Sequence, residues 1–241
     1  VGLVLVGFNI FGPILGLIFG TMIAVVFSVF SLKEIFNKKE EKIRIKDLKG
    51  YSISFMGAMI AIVLIYSLDI MLAKVFFADD LVGKYTVISM LAKMIFFGTM
   101  PIGRALFPVS SEKYSEGKET RTLFNESFLM VLGLSIIAVL VFLFFQRLII
   151  WILFGSRYTD MSIYMPYMGI AIAFLSLTNL VVLYGLSIDR FKKYYYLFIF
   201  VIIDFILLLI FHSTLMEFIL AFMVSNIIMF LGSLALIKIK N

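Results

Sequence analysis

Cysteine is absent from this 241-residue sequence, and histidine occurs only once, as His212. The chain therefore offers no disulfide, no zinc-thiolate site and no thiol nucleophile. The single histidine also argues against a Ser-His catalytic centre and against a metal site built from several imidazoles. These absences argue against the common classes of hydrolase and metalloenzyme.

Charged residues are also scarce, at 15% of the chain, whereas hydrophobic residues make up 63%. Soluble domains are usually about 45–50% apolar, so an ordinary core cannot bury this much apolar side chain. No stretch sustains the strict alternation of apolar and polar residues that a membrane barrel needs. The composition predicts an all-α, polytopic membrane protein.

Seven apolar stretches are long enough to cross the membrane, which takes roughly 20 residues for a hydrocarbon core of about 30 Å. The first of them occupies the very start of the sequence, so we expect this sequence to be the later part of a longer protein. The predicted spans lie at about 1–32, 51–78, 81–108, 123–151, 161–188, 194–211 and 214–237.

Basic residues are distributed unevenly between the predicted connections. The connections on one side of the membrane and the C-terminal tail carry 16 of the 21 lysines and arginines, and those on the other side carry four. Because positively charged connections stay in the cytoplasm, the chain is predicted to start outside and to end in the cytoplasm. The net charge of +6 is explained by this topology, and no nucleic-acid partner is expected.

Strongly polar residues recur near the middle of five predicted spans, as Asp69, Lys93, Asn179, Asp204 and Asn226. Asp69 and Lys93 are expected at similar depths, roughly 15 and 20 Å from the outer surface. A charge at the bilayer centre costs about 2.5–3.5 kcal/mol, so such residues usually line a water-filled path or an ion site. A structural interpretation remains open, in which Asp69 pairs with Lys93 and the asparagines join helices.

Proline and glycine interrupt several spans. Gly98, Pro101, Gly103 and Pro108 follow one another within the third span, and Pro166 lies in the fifth. Proline removes a helical hydrogen bond and bends the chain. Together with mid-membrane charges, these bends are typical of a transporter that alternates between two states.

Four short motifs then point to a family: "SLDIMLAKVFFADDLVGKY", "FPVSSEKYSEGK", "ILFGSRY" and "YGLSIDRFKKYY". In this order they resemble the polysaccharide-transporter branch of the multidrug/oligosaccharidyl-lipid/polysaccharide exporter superfamily, which includes O-antigen flippases. The resemblance implies two lobes of six helices around a central cavity. Residues 1–32 would be the last helix of an otherwise missing N-terminal lobe, 33–50 a cytoplasmic linker and 51–241 the C-terminal lobe.

By this resemblance the chain is a transporter and not an enzyme. It would flip a lipid-linked oligosaccharide diphosphate across the bacterial inner membrane by alternating access, with membrane lipids around it. Lys93 would attract the diphosphate, Arg104 would receive the head group and Asp69 would offset Lys93. No cofactor or metal is expected apart from a coupling Na⁺ or H⁺, for which Asp69, Asp204 and Asn226 are the candidate oxygen ligands.

Two alternatives remain open. A cation-coupled multidrug exporter has the same fold but needs an acidic cavity, whereas Lys93 and Arg104 outnumber Asp69 here. A membrane-embedded polymerase or acyltransferase of surface polysaccharide needs a catalytic cluster or a sizeable loop on the outer face. The outer connections are too short to supply either.

Overall fold

A computed structural model describes residues 11–31, 45–188 and 196–238, and within these ranges it contains helices and no strand. The prediction of an all-helical chain with seven main helices is confirmed. They are α1 (Phe11–Ser31), α2 (Ile45–Phe76), α3 (Asp79–Ser115), α4 (Arg121–Phe154), α5 (Met165–Ser187), α6 (Leu197–Ile210) and α7 (Leu215–Lys238). A 3-10 helix, Ser156–Tyr164, joins α4 to α5.

Five of the helical segments are long and apolar enough to cross a membrane: Ser52–Phe76, Asp79–Ser115, Arg121–Phe154, Ser156–Ser187 and Leu215–Ile237. The apolar parts of α1 and α6 are shorter. α6 has 14 residues, which span about 21 Å against a hydrocarbon core of about 30 Å. Its predicted span, 194–211, begins at two residues that lie outside the described ranges.

The chain divides into two compact units, residues 1–45 and 46–241. In the first unit, α1 is an apolar helix whose described side chains are largely exposed. The predicted linker, 33–50, lies outside the described residues up to position 44, and its last six residues belong to α2. The second unit contains all the remaining helices and every candidate site residue.

α5 is the central helix of the second unit and packs against α3, α4 and α7. It is apolar on all sides, which is the pattern of a helix surrounded by protein, and nearly all of it is buried. Small residues allow its neighbours to approach closely. A Cβ at Gly103 of α3 would lie 2.9 Å from Leu183, and one at Gly169 of α5 would lie 2.9 Å from Phe142 of α4.

α4 lies at the periphery of this unit. Only four of its 34 residues are buried, namely Val131, Ser135, Phe142 and Ile150. Large apolar side chains such as Ile137 and Phe144 are exposed along the rest of the helix. Exposed apolar side chains of this kind are typical of a helix that faces lipid.

The prolines of α3 and α5 do not end these helices. α3 remains helical through Pro101 and Pro108 and ends only at Ser115, so the predicted connection is reduced to residues 116–120. Pro166 does not interrupt an α-helix. It stands in the first turn of α5, where the backbone N–H that proline lacks has no helical partner in any case.

Contacts between connections show which of them share an end of the second unit. Arg157 in the 3-10 helix binds Asp80 at 2.8 Å, and Phe76 stacks on His212 with ring centroids 4.1 Å apart. The connections after α2, α4 and α6 therefore lie together. At the opposite end, Thr120 and Tyr184 are joined by a 3.0 Å hydrogen bond.

Cysteine labelling can test the membrane orientation of these two ends. We expect Ala78→Cys and Ser213→Cys to react with an impermeant thiol reagent in intact cells, and Glu119→Cys to react only after permeabilisation. The reason is the excess of basic residues on the Glu119 side. All three positions are exposed, and the natural sequence has no cysteine to give background. Labelling of Glu119→Cys alone in intact cells would reverse the predicted topology.

Candidate functional site

Asp69 of α2 is the centre of a buried polar cluster. Its side chain is completely buried, and its carboxylate accepts hydrogen bonds from three side chains of α3. Tyr85 and Ser89 donate to Oδ2 at 3.0 and 2.6 Å, and Lys93 Nζ donates to Oδ1 at 2.9 Å. We call Asp69, Tyr85, Ser89 and Lys93 the Asp69 cluster. Both oxygens of the carboxylate have partners, so the cluster is internally satisfied.

Helix geometry explains how α3 supplies all three donors. Tyr85, Ser89 and Lys93 are spaced four residues apart, so they lie along one face of α3. The short connection at 77–78 turns the chain back, which brings this face against Asp69. Sequence reasoning identified Asp69 and Lys93 but missed Tyr85 and Ser89. Their spacing of eight and four residues from Lys93 was the signal that could have identified them.

Lys93 is enclosed within the second unit. Its side chain is 3% exposed, and its ammonium lies 4.6 Å from the ring centroid of Tyr66, within the range of a cation–π contact. Tyr66 in turn packs against Phe96 and Phe97 with centroids 5.6 and 5.9 Å away. The ammonium is thus held between a carboxylate and an aromatic ring, and it does not meet solvent in this conformation.

Arg104 is placed apart from the Asp69 cluster. It lies eleven residues beyond Lys93 on α3, which corresponds to about 16 Å along the helix. Its side chain is exposed, and it forms no ion pair with any residue that the structure describes. The structure brings Asp69 and Lys93 together but leaves Arg104 at the surface.

A second buried polar group lies between α6 and α7. Asp204 is completely buried, and one of its oxygens, Oδ1, accepts a hydrogen bond from Ser225. Asn226 is also completely buried, and its amide donates to the carbonyl of Phe222 in its own helix at 2.8 Å. In the described part of the chain that amide does not join two helices, contrary to the structural interpretation of the sequence. Ser225 was not singled out from the sequence.

Two oxygens of this second group have no partner among the described residues, Asp204 Oδ2 and Asn226 Oδ1. Asp69 and Asp204 are near enough to interact electrostatically, and Tyr85 interacts with both carboxylates. Asp204 Oδ2 and Asn226 Oδ1 are thus the oxygens among the predicted cation ligands that the described residues leave without a hydrogen-bond donor. Carboxylate and amide oxygens suit hard cations.

Acidic residues at the end where α3 begins are engaged in ion pairs. Asp80 binds Arg157, and Asp160 binds Lys84 at 2.7 Å. Among the described residues, no group of three or more His, Cys, Asp or Glu side chains is arranged to hold a metal ion.

Comparison with known proteins gives one match. A family model described as "Polysaccharide biosynthesis protein" matches residues 1–163, which include Asp69, Lys93 and Arg104 but not Asp204 or Asn226. No curated protein and no solved structure matches the chain. The resemblance to polysaccharide transporters is thereby confirmed at the level of this family. The chain belongs to the polysaccharide biosynthesis protein family and, with its five long apolar helices, is a multi-pass membrane protein.

Proposed function

We propose that this protein is a transporter that flips a lipid-linked oligosaccharide diphosphate across the bacterial inner membrane by alternating access. The observation that carries the proposal is the buried ion pair between Asp69 and Lys93. It lies between two long apolar helices of a polysaccharide biosynthesis protein. Intramembrane charges of this kind usually serve transport, because a packing role does not need them.

The ion pair between Asp69 and Lys93 suggests how the diphosphate of the substrate is bound during transport. A buried pair gains little over apolar residues of the same size, so stability alone does not explain it. In the described conformation Asp69 neutralises Lys93. We infer that a diphosphate competes with Asp69 for the lysine when α2 and α3 separate. The ligand then favours the separated state, because only that state offers the free ammonium.

Arg104 is exposed and could bind the head group at an earlier step of transport than Lys93. Its guanidinium is exposed about 16 Å from Lys93 along α3 and has no acidic partner among the described residues. Arginine binds phosphate oxygens through two parallel hydrogen bonds. We infer that Arg104 holds the head group at the cavity rim before Lys93 becomes accessible.

The buried oxygens of α6 and α7 are the basis for the last part of the proposal, coupling of transport to a cation. Asp204 Oδ2 and Asn226 Oδ1 are buried acceptors without partners in the described part of the chain, and they are the oxygens that we assign to a coupling Na⁺ or H⁺. Asp69 would join them only after releasing Lys93. Binding of the cation and release of the lysine would then be linked.

The two other candidate functions receive less support. A multidrug exporter for cationic compounds needs an accessible acid at its cavity, whereas Asp69 is neutralised by Lys93 and Asp204 is completely buried. A polymerase or acyltransferase needs free catalytic groups on the outer face, whereas Asp80 and Asp160 are held in ion pairs. We therefore propose a transporter without enzymatic activity.

The direct test is expression of the full-length protein in a strain that lacks its own flippase of this family. We expect surface polysaccharide to return, and the lipid-linked precursor to move from the inner to the outer leaflet. An exporter would leave the precursor in the inner leaflet and would raise drug resistance. A polymerase would lengthen polymer only where the precursor already reaches the outer leaflet.

A further inference from the structure

A pocket of about 600 Å³ lies between the last turns of α4 and the 3-10 helix that follows it. Small-molecule sites usually have volumes of about 300–1,000 Å³. The pocket, which we call the Arg147 pocket, is lined by apolar and polar side chains, among them Phe144, Leu148, Trp151, Arg147, Ser156 and Thr159. This mixture suits a ligand that has both a hydrocarbon part and a polar part.

Arg147 gives this pocket a positive charge, and it has no acidic partner. Its side chain is exposed, and it takes part in no ion pair or hydrogen bond with the residues that the structure describes. The acid that follows Thr159, Asp160, is bound by Lys84 at 2.7 Å. No Asp or Glu in the described part of the chain lines the pocket itself. The positive charge is therefore left for an anion to neutralise.

Ser156 and Thr159 of the 3-10 helix add two hydroxyl groups to the lining. Thr159 donates its hydroxyl proton to the carbonyl of Ser156 at 2.8 Å, so its oxygen can still accept a hydrogen bond. The hydroxyl of Ser156 has no partner within the described ranges and can donate. Together with Arg147, these groups offer donors to phosphate oxygens and an acceptor to a ligand hydroxyl.

The position of Arg147 along α4 indicates which anions are within reach. Residues 127–146 carry no charge and cover about 30 Å of helix, against a hydrocarbon core of about 30 Å. Glu126 precedes this stretch and Arg147 follows it, so Arg147 stands where the hydrocarbon meets the headgroups. Trp151, one turn further on, is 58% exposed, and exposed tryptophan is typical of that interface. The anions at this depth beside a peripheral helix are the phosphates of phospholipids.

From these observations we propose that the Arg147 pocket binds the headgroup of an anionic phospholipid of the phosphatidylglycerol type. Arg147 holds the phosphate through parallel hydrogen bonds, and the glycerol hydroxyls meet Ser156 and Thr159. The acyl chains run along the exposed apolar side chains of α4, such as Phe144. An ethanolamine or choline ammonium finds no acid in this pocket and is repelled by Arg147. The site does not depend on what the protein transports.

Two arginines of α4 provide a matched test, because both are exposed and they lie near opposite ends of the helix. Arg147→Gln removes the charge of the pocket, and Arg121→Gln removes the same charge far from it. Neither change breaks an ion pair between described residues, so both variants should keep the Tm of the natural protein. The full-length protein is irradiated in phosphatidylcholine nanodiscs that contain a photoreactive phosphatidylglycerol, and the labelled peptides are quantified by mass spectrometry.

We expect the probe to label peptides from residues 144–159, with a loss of about tenfold in Arg147→Gln and no change in Arg121→Gln. Arg147→Lys should keep part of the labelling, because an ammonium attracts phosphate without the two parallel hydrogen bonds. Labelling that Arg147→Gln leaves unchanged would overturn the site. So would equal labelling of these peptides by a photoreactive phosphatidylcholine, because the pocket would then meet bulk lipid without selecting it.

Competitors distinguish a lipid headgroup from a soluble phosphate compound. Unlabelled phosphatidylglycerol should reduce the labelling, whereas the same fraction of phosphatidylethanolamine, or glycerol phosphate in the buffer, should not. Equal competition by phosphatidylethanolamine would contradict the choice of headgroup, and displacement of the probe by glycerol phosphate would make the ligand a soluble anion. Either result would overturn the proposal.

Discussion

Lys93→Met is expected to reduce restoration of surface polysaccharide to background in a flippase-deficient strain. The change removes the only ammonium that contacts Asp69 in the described structure and with it the group that we assign to the diphosphate. Removing one partner of a buried pair also costs about 3–5 kcal/mol of stability. The amount of membrane-inserted protein must therefore be measured alongside the polysaccharide.

A double variant separates binding from stability. Asp69→Asn combined with Lys93→Met removes both charges, and the asparagine oxygen still accepts the hydrogen bonds from Tyr85 and Ser89. We expect this variant to recover most of the protein level that Lys93→Met loses, because no unpaired buried charge remains. Transport should remain absent. Full restoration of polysaccharide by the double variant would make Asp69 and Lys93 a purely structural pair.

Asp204→Asn is expected to abolish the response of transport to a cation gradient while leaving the protein level unchanged. Asparagine keeps an oxygen for the hydrogen bond from Ser225 but removes the negative charge that would bind Na⁺ or a proton. The measurement is flipping in proteoliposomes under an imposed sodium gradient or pH gradient. Because a buried carboxylate without a cation is costly, the neutral variant should be at least as stable as the natural chain.

Ser225→Ala is the control for this prediction. It touches the same carboxylate but removes none of the oxygens assigned to the cation, so the gradient should still drive transport. If Asp204→Asn responds to gradients in the same way as the natural protein, Asp204 has no part in coupling and serves packing only.

The sequence alone was sufficient for the helical class and for most helix positions. Long apolar runs identify membrane helices because a bilayer imposes a minimum length and excludes unpaired backbone. It also predicted that Asp69 and Lys93 lie at similar depth, because both depths were counted from the same short connection, at Asp79 and Asp80. Their contact at 2.9 Å follows from that symmetry and from the face of α3 that Tyr85, Ser89 and Lys93 share.

Tertiary structure decided which helices are surrounded by protein. α4 and α5 are both strongly apolar, yet less than a fifth of the membrane window is buried in α4 and nearly nine-tenths of it in the segment containing α5. Hydropathy cannot distinguish a lipid-exposed helix such as α4 from a protein-surrounded helix such as α5, because lipid chains are as apolar as a protein interior. The unpaired oxygens of Asp204 and Asn226 and the open space beside Gly98 were equally invisible in the sequence, since they depend on distances between helices that no local pattern encodes.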